Sequence, residues 1–497
     1  MKKVFLAALD CGTSEIKAGV FRPDGKVEAF VKRCCPCIYH KDGRIEQDPD
    51  LILRQALGSL KEAVARSKID PKRIVSVSLS SQRATVIPIG HDKRPIANAI
   101  SWQDMRGDEE TSRLRGNIND KKYYKITGVP NNPVFSLAKI LSIKKNNRAL
   151  FKKTRRFALI HDLILKELGC GGFFLDHSNA SLTGMLDVDG LKWSRDILKA
   201  SGIKEDALPD LVPSGKALGS VSSAASAICG LAPGTAIISG GGDQQCAGLG
   251  AGCVKKGIVE ITLGTAGVTL GYLDRPVKDP AMRISYCAHA MKGSWEFEGL
   301  QNSAGASLGW IRKIINDNKD LSNKFFYNVS KISPGSNGTF FFPFLAGASA
   351  PNWNPRAKAV FLGLRHVHDR HSIVRSIIEG VSFETRQILD LFTALGVSIN
   401  EIRLTGGCSS IGVWDQIQAD IYHREVSTLE NPHASLLGAA MLAGYGIGIF
   451  DSMNKAAEKM VRVKKRYRPD KRDSAAYKEI YKNYCRIYKI MDREGIF

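Results

Sequence analysis

Asp243 is the residue whose neighbours best equip it for chemistry. It follows a short apolar run, Ala236–Ile238, and three glycines, Gly240–Gly242, and it precedes Gln244-Gln245-Cys246-Ala247, where a small-residue helix begins. The run reads as a buried strand, and the glycines as a tight turn that lets a ligand approach the backbone closely. A carboxylate delivered at a strand end, beside a helix start, lies where open α/β sheets hold ligands. The same aspartate could serve only as a helix N-cap, a common use of that residue. Other parts of the chain decide between the two.

Two Gly-Thr hairpins favour chemistry. Val4–Leu9 and Ile16–Phe21 read as strands joined through Asp10-Cys11-Gly12-Thr13-Ser14; Gly257–Thr262 and Gly267–Tyr272 read as strands joined through Leu263-Gly264-Thr265-Ala266. Such turns expose backbone N–H groups and hydroxyls in a concavity suited to phosphate. Their recurrence about 250 residues apart suggests a duplicated architecture with nucleotide between the halves. Asp10, at its strand end, could hold Mg²⁺ through water, because that ion takes few carboxylates and keeps its waters. A third element, strand Glu401–Leu404 followed by Thr405-Gly406-Gly407-Cys408 and helix Val413–Tyr422, allows close approach of a nucleotide sugar or phosphate.

Two polar clusters stand just past strands. Ser80-Ser81-Gln82-Arg83-Ala84-Thr85 follows Ile74–Leu79, and Trp102-Gln103-Asp104-Met105-Arg106 follows Ala97–Ser101. Amides, carboxylates and arginine can bracket the hydroxyls of a polyol while Trp102 covers an apolar carbon face; taken alone, Trp102 reads as a packing residue. The segments Ile160-His161-Asp162-Leu163, Asp176-His177-Ser178-Asn179-Ala180-Ser181 and Met185-Leu186-Asp187 read as a helix, a polar turn and a strand with structural roles.

The elements that must position these residues fit a chain of 497 residues, long enough for two domains. The start, Met1–Leu9, imitates a signal peptide, but its apolar run stops at Asp10 and no small-residue cleavage site follows, so it reads as a first strand. No apolar run approaches the ~20 residues that span a bilayer. Eleven scattered cysteines favour reduced thiols and a cytoplasmic setting; the Cys34, Cys35 and Cys37 cluster lacks a second pair at zinc spacing. The net charge of +22 is spread along the chain, densest at Arg462–Arg468, with no nucleic-acid motif beside it, which fits a solvated basic surface suited to a phosphate-rich ligand. Helix Gln47–Ser67 follows the first three strands, and small-residue helix Ser435–Tyr445 is expected to close the second core. Tyr477, Tyr481, Tyr484 and Tyr488 form one helical face, which packs either on its own domain or on a second subunit, as in a homodimer.

With these elements in order, the chain resembles the FGGY family of carbohydrate kinases over nearly its whole length. The resemblance rests on Asp10-x-Gly12-Thr13-Ser14, Trp102-Gln103-Asp104-x-Arg106, Gly241-Gly242-Asp243-Gln244, Gly264-Thr265, Ala304-Gly305, Glu379-Gly380, Gly406-Gly407, Trp414-x-Gln416-x-x-Ala419-Asp420 and Leu437-Gly438-Ala439-Ala440. The C-terminal signature spans Ala359-x-Phe361-x-Gly363-Leu364 to Glu379, with Ser372 at a position usually more polar or charged. The N-terminal one, Val134 to Lys139 and beyond, has Val134 and Ser142 where aromatic residues are common.

The resemblance implies two actin-like (ribonuclease H-like) α/β domains, near 1–243 and 244–497, with the active site in the cleft between them. It implies ATP- and Mg²⁺-dependent phosphorylation of a sugar or polyol hydroxyl. Asp243 would take the proton of that hydroxyl, and Asp10 and Asp243 would lie near the metal. Gln82, Arg83, Trp102, Gln103, Asp104 and Gln244 would bind the acceptor. Gly12, Thr13, Ser14, Gly264, Thr265, Gly305, Gly406 and Gly407 would bind ATP. Ser81-Gln82-Arg83 and Trp102-Gln103-Asp104 look like glycerol kinase, yet Ala84 and Val134 stand where glycerol kinases usually carry Glu and a substrate-lining Tyr. The second half looks closer to xylulokinases, so a larger polyol or a ketose is expected. An actin- or chaperone-like ATPase would share the phosphate hairpins but would not need the polar clusters. A nucleic-acid binder would use the basic charge and show a steep salt dependence.

Overall fold

The computed structural model describes residues 4–315 and 321–497. Met1, Lys2 and Lys3, which open the first strand's sequence signal, lie outside the described residues. The chain divides into two units. The first takes residues up to Val254, Leu273–Glu296 and His433–Val461; the second takes Lys255–Tyr272, Phe297–Pro432 and Arg462–Phe497.

The first unit is built on a mixed sheet ordered Ala217–Ser220, Ala236–Ile238, Ile74–Ser81, Phe5–Cys11, Glu15–Phe21, Val27–Cys34, with Gly241–Gly242 also paired to Ile74–Ser81. Alternation along the first strand explains both faces. Phe5, Ala7, Leu9 and Cys11 face a core that includes Ile52, Ala56, Leu57 and Leu60 of helix Pro49–Ser67. Leu6 and Ala8 face the other way, into a core with Cys246, Leu249, Leu436, Leu437 and Ala440. That second core corrects one expectation: helix Ala434–Tyr445 packs on the first unit's sheet. Its glycine-for-backbone contact shows why it is rich in small residues. A Cβ on Gly438 would stand 1.9 Å from Cys246 O, and one on Gly250 1.9 Å from Ala434 O, so only glycine lets this helix pair with Asp243–Gly250 at such range.

The second unit repeats the plan. Gly257–Leu263 and Gly267–Leu273 form an antiparallel hairpin; Gly257–Leu263 also pairs in parallel with Ile399–Thr405, which pairs in parallel with Val426–Leu429. The basic run near the C-terminus supplies an edge strand, Val463–Tyr467, antiparallel to Val426–Leu429. Lysines and arginines on such an edge also discourage pairing with another chain. Helix Lys471–Arg493 buries Tyr477, Tyr481, Tyr484 and Tyr488, as its spacing demands, and the face they form docks on this same unit. Tyr484 stacks on Phe342 with ring centroids 4.5 Å apart, and Tyr481 donates to Asp390 Oδ2 at 2.7 Å.

Candidate active site

Strand register places the first group of residues. Phe5–Cys11 and Gly241–Gly242 both run parallel to Ile74–Ser81, so Asp10, Ser80 and Gly241 lie level and Cys11, Ser81 and Gly242 lie one step further. Asp243 therefore starts its helix at the carboxyl edge of the parallel strands. Gly242 is the N-cap of that helix and Asp243 its first residue, so the capping explanation for this aspartate does not hold. The turn needs glycine at its first position, where a Cβ on Gly240 would stand 1.6 Å from Leu79 O; at Gly242 a Cβ would crowd the Arg83 and Gln245 side chains.

The Asp243 carboxylate is 26% exposed and accepts from Arg83 Nε at 3.1 Å and from the Gln244 amide at 2.8 Å. Gln244 Oε1 is buried with no hydrogen-bond partner among the described residues, which leaves an acceptor to spare at this edge. Arg83 is followed by Ala84 with φ of 60°, a left-handed conformation uncommon outside glycine and one that tends to cluster at functional sites.

Asp10 is buried. Ser80 Oγ donates to its Oδ1 at 3.0 Å, and Ser435 Oγ and Lys17 Nζ donate to its Oδ2 at 2.8 and 3.3 Å. The charge of Asp10 is the main force raising the Lys17 pKa. Burial opposes it, and Glu15 and Asp243 add to it, so Lys17 stays a cation with Asp10 and Asp243 both in its field. Lys17 carries no signal of its own in the sequence, because an isolated lysine on a strand looks like any solvated one.

The Gly12–Ser14 turn is held by a polar cycle. The Trp102 indole donates to Thr13 Oγ1 at 2.8 Å, and Thr13 Oγ1 donates to Gln82 Oε1 at 3.0 Å. Gln82 Nε2 donates to Gln47 Oε1 at 2.9 Å, and Gln47 Nε2 returns to Thr13 O at 2.9 Å. Thr85 Oγ1 adds a further bond to Gln82 Oε1 at 3.3 Å. Gln82, expected to face a ligand, thus spends its buried amide bracing the hairpin. Asp104 differs from expectation in the same way. It is fully buried, accepts from Ile45 N at 2.6 Å, and forms an ion pair with Arg106 at 2.7 Å. Burial works against its charge, but Arg106 and two backbone N–H groups outweigh it and hold the carboxyl below its ordinary range. Gln103 is half-buried, with Cys37 Sγ 3.9 Å from its Oε1, so one thiol of the Cys34–Cys37 cluster borders this turn. Among the described residues no group of three or more His, Cys, Asp or Glu side chains is arranged to hold a metal.

The N-terminal signature lysine, Lys139, is buried, and burial pushes its pKa down to about 7. It donates to Pro133 O at 2.9 Å and Val134 O at 2.8 Å, fixing the loop ahead of helix Ser136–Asn146.

In the second unit the other turns converge. The start of helix Gly305–Ile315 sits on the Gly-Thr hairpin: Gly305 N donates to Gly264 O at 2.8 Å and Ala306 N to Thr265 O at 3.0 Å. A Cβ on Gly305 would stand 2.5 Å from Gly264 O, so this junction requires glycine. Gly406, with φ of 81°, turns the chain against Leu263, where a Cβ would meet the carbonyl oxygen at 2.6 Å. Gly305 and Gly407 line a cavity of about 730 Å³, whose walls also include Arg312, Phe326, Tyr327 and Ile411. Of the five second-half residues expected to bind ATP, Gly264, Thr265 and Gly305 are joined by these bonds, Gly406 packs on the neighbouring Leu263, and Gly305 and Gly407 line the cavity.

Comparison with known proteins agrees with this geometry. The family model for the N-terminal domain of the FGGY family of carbohydrate kinases matches residues 5–250, and that for the C-terminal domain matches residues 259–447. The chain is 31% identical to the xylulose kinase of Bacillus subtilis (strain 168), covering 97% of this chain and 96% of that protein. It is 28% identical to the gluconokinase of the same organism, covering 99% and 96%. The crystal structure of ligand-bound xylulose kinase from Lactobacillus acidophilus superposes with a TM-score of 0.91 at 25% identity, covering 98% of each chain. The two repeated α/β units are those of a duplicated actin-like fold. This chain belongs to the FGGY family of carbohydrate kinases and is a phosphotransferase that uses an alcohol group as acceptor.

Proposed function

We propose that the first unit holds a ketose or similar polyol with one hydroxyl at Asp243, and that the second unit's glycine turns hold ATP. The observation that carries this reading is the register that sets Asp10 and Asp243 at one end of the parallel strands, with the Lys17 cation in the field of both. A hydroxyl attacks phosphorus poorly until it loses its proton, and Asp243 is a carboxylate within a turn that exposes it. Arg83 fixes that carboxylate's direction from one side, leaving Gln244 Oε1 to accept from a second hydroxyl. Lys17 supplies a cation for charge developing on the transferred phosphoryl group. Asp10 and Asp243 suit Mg²⁺ held through water and carried in with the nucleotide, since that ion needs few carboxylates; bound there, it would neutralise phosphate charge.

Ala84 and Val134 put neither a carboxylate nor a phenol at the positions where glycerol kinases present them, and a site built on such bonds discriminates strongly when they are missing. The similarity to a xylulose kinase and a gluconokinase points the same way. The test is ADP release with Mg-ATP against D-xylulose, D-ribulose, erythritol, gluconate and glycerol. A pentulose is expected to give the highest kcat/KM, with glycerol at least tenfold lower; glycerol as the preferred acceptor would overturn the substrate assignment.

Lys17→Met provides a second check. Loss of the cation is expected to lower kcat by roughly 10²-fold, the scale of one transition-state electrostatic partner, while the acceptor KM stays within about threefold. Steady-state kinetics with acceptor varied at saturating Mg-ATP would show this, and an unchanged kcat would remove Lys17 from the phosphoryl site.

A further inference from the structure

The polar segment Asp176–Ser181 is not used by the reading above, yet it lies directly behind Asp243. It forms a short helix, His177–Ser181, with Asp176 as N-cap accepting from the Ser178 and Asn179 amides. Its polar side chains other than His177 are buried: Asp176, Ser178 and Asn179 are each 0% exposed. Ser178 Oγ accepts the backbone N–H of Gly242 at 2.9 Å, one residue before Asp243, and passes its own proton toward Asp176 Oδ1. Asn179 donates to Asp176 Oδ2 and accepts from Ser81 Oγ at 3.3 Å. Ser81 is the register partner of Gly242. His161 Nε2 lies 3.4 Å from Asp176 Oδ2 and completes the cluster.

One five-residue helix therefore grips two neighbouring strand ends, one leading to Arg83 and the other to Asp243. Buried polar groups of this kind are costly unless fully bonded, and once bonded they rigidify what they touch. The consequence bears on catalysis, because a shift of about 1 Å in a reacting group can cost 10²-fold in rate.

We propose that Ser178, oriented by Asp176, is a positioning residue that fixes the Gly242–Asp243 peptide and thereby aims the catalytic carboxylate. The proposal rests on the assignment of Asp243 as the base. Ser178 touches no substrate; it acts through the backbone of Gly242.

The test compares Ser178→Ala and Ser178→Cys with Ser181→Ala, measured in the full-length protein with Mg-ATP and the preferred acceptor. Ser181 is an equally buried hydroxyl on the same helix, bonded to His177 O and to the Ala288 amide, with no tie to Gly242. Ser178→Ala is expected to lower kcat by roughly 10- to 100-fold. Acceptor KM and the Kd of a fluorescent ADP analogue should stay within about twofold. Ser178→Cys, whose thiol accepts weakly, should fall between Ser178→Ala and wild type, and it carries the test if the alanine variant does not fold. Ser181→Ala should keep wild-type kcat. A kcat within twofold of wild type in both Ser178 variants, or equal losses in the Ser178 and Ser181 variants, would overturn the proposal. If wild type turns over no acceptor, the kinase assignment fails instead, and the two failures are distinct.

Discussion

Asp243→Asn is expected to abolish most turnover while leaving nucleotide binding intact. The substitution keeps the side chain's size, and its amide oxygen can still accept from Arg83 Nε and the Gln244 N–H, bonds that help orient the residue. What disappears is the negative charge that can take a proton. A positioned general base contributes about 10²–10⁴-fold, so kcat should fall by that factor. The glycine turns of Gly264, Gly305 and Gly406 belong to the other unit and depend on none of these bonds, so the Kd for ATP should move by less than about threefold. Parallel measurement of kcat and of ATP affinity by calorimetry separates the effects. Near-normal turnover would remove Asp243 from the mechanism; a large loss of ATP affinity would assign it to nucleotide binding.

Glu379→Ala should give the largest loss of stability. Glu379 sits in helix Arg370–Ala394, 1% exposed, and its carboxylate receives four donors from four residues. Gly335 N bonds it at 3.0 Å, Ser336 Oγ at 2.8 Å, Arg375 Nε at 2.9 Å and Tyr477 OH at 2.7 Å. The last of these ties the C-terminal helix to the second unit's core, and Arg375 Nη2 also donates to Tyr477 OH at 2.8 Å. Removing the carboxylate leaves a buried guanidinium without its counter-charge. Breaking a buried pair in this way costs about 3–5 kcal/mol. Denaturant unfolding of wild type, Glu379→Ala and Glu379→Gln would check it. The glutamine variant should lie between the other two, since it keeps an acceptor but not the charge. An alanine variant as stable as wild type would contradict the anchoring role. Gly380, the partner of Glu379 in the same short motif, is structural for a different reason: a Cβ there would stand 2.1 Å from Phe341 O.

Much of the site was legible because its signals are local. Turn glycines between short, largely apolar strands give both Gly-Thr hairpins, and strand Ala236–Ile238 followed by glycines gives the Asp243 turn. Residues whose roles depend on distant partners were harder to read. Gln82 and Asp104 look like ligand contacts when seen after a strand, but the structure commits them to Thr13, Gln47, Ile45 and Arg106, none of which the local pattern could nominate. Lys17 gains meaning only when strand pairing brings Asp10 level with the Asp243 turn.

Helix Ala434–Tyr445 shows the same limit at larger scale. Its small residues announce tight packing, yet nothing local says that the contact is Cys246 and Gly250, nearly two hundred residues earlier. The Asp176–Ser181 segment reads as a turn in sequence, and its His177–Ser181 helix is invisible there because five residues are too few to show helical periodicity. The strand expected at Ala97–Ser101 is reduced to Ala99–Ile100, the two residues that pair with Gln47 and Glu46.

The most direct test of the account follows the label from [γ-³²P]ATP in a single turnover with D-xylulose, in wild type and Asp243→Asn. Wild type is expected to place the label on the sugar, with little inorganic phosphate, and Asp243→Asn to slow this transfer by roughly 10²–10⁴-fold. Label appearing as inorganic phosphate at the same rate with and without any acceptor would contradict it, and would mark the chain as a nucleotide hydrolase built on a kinase fold.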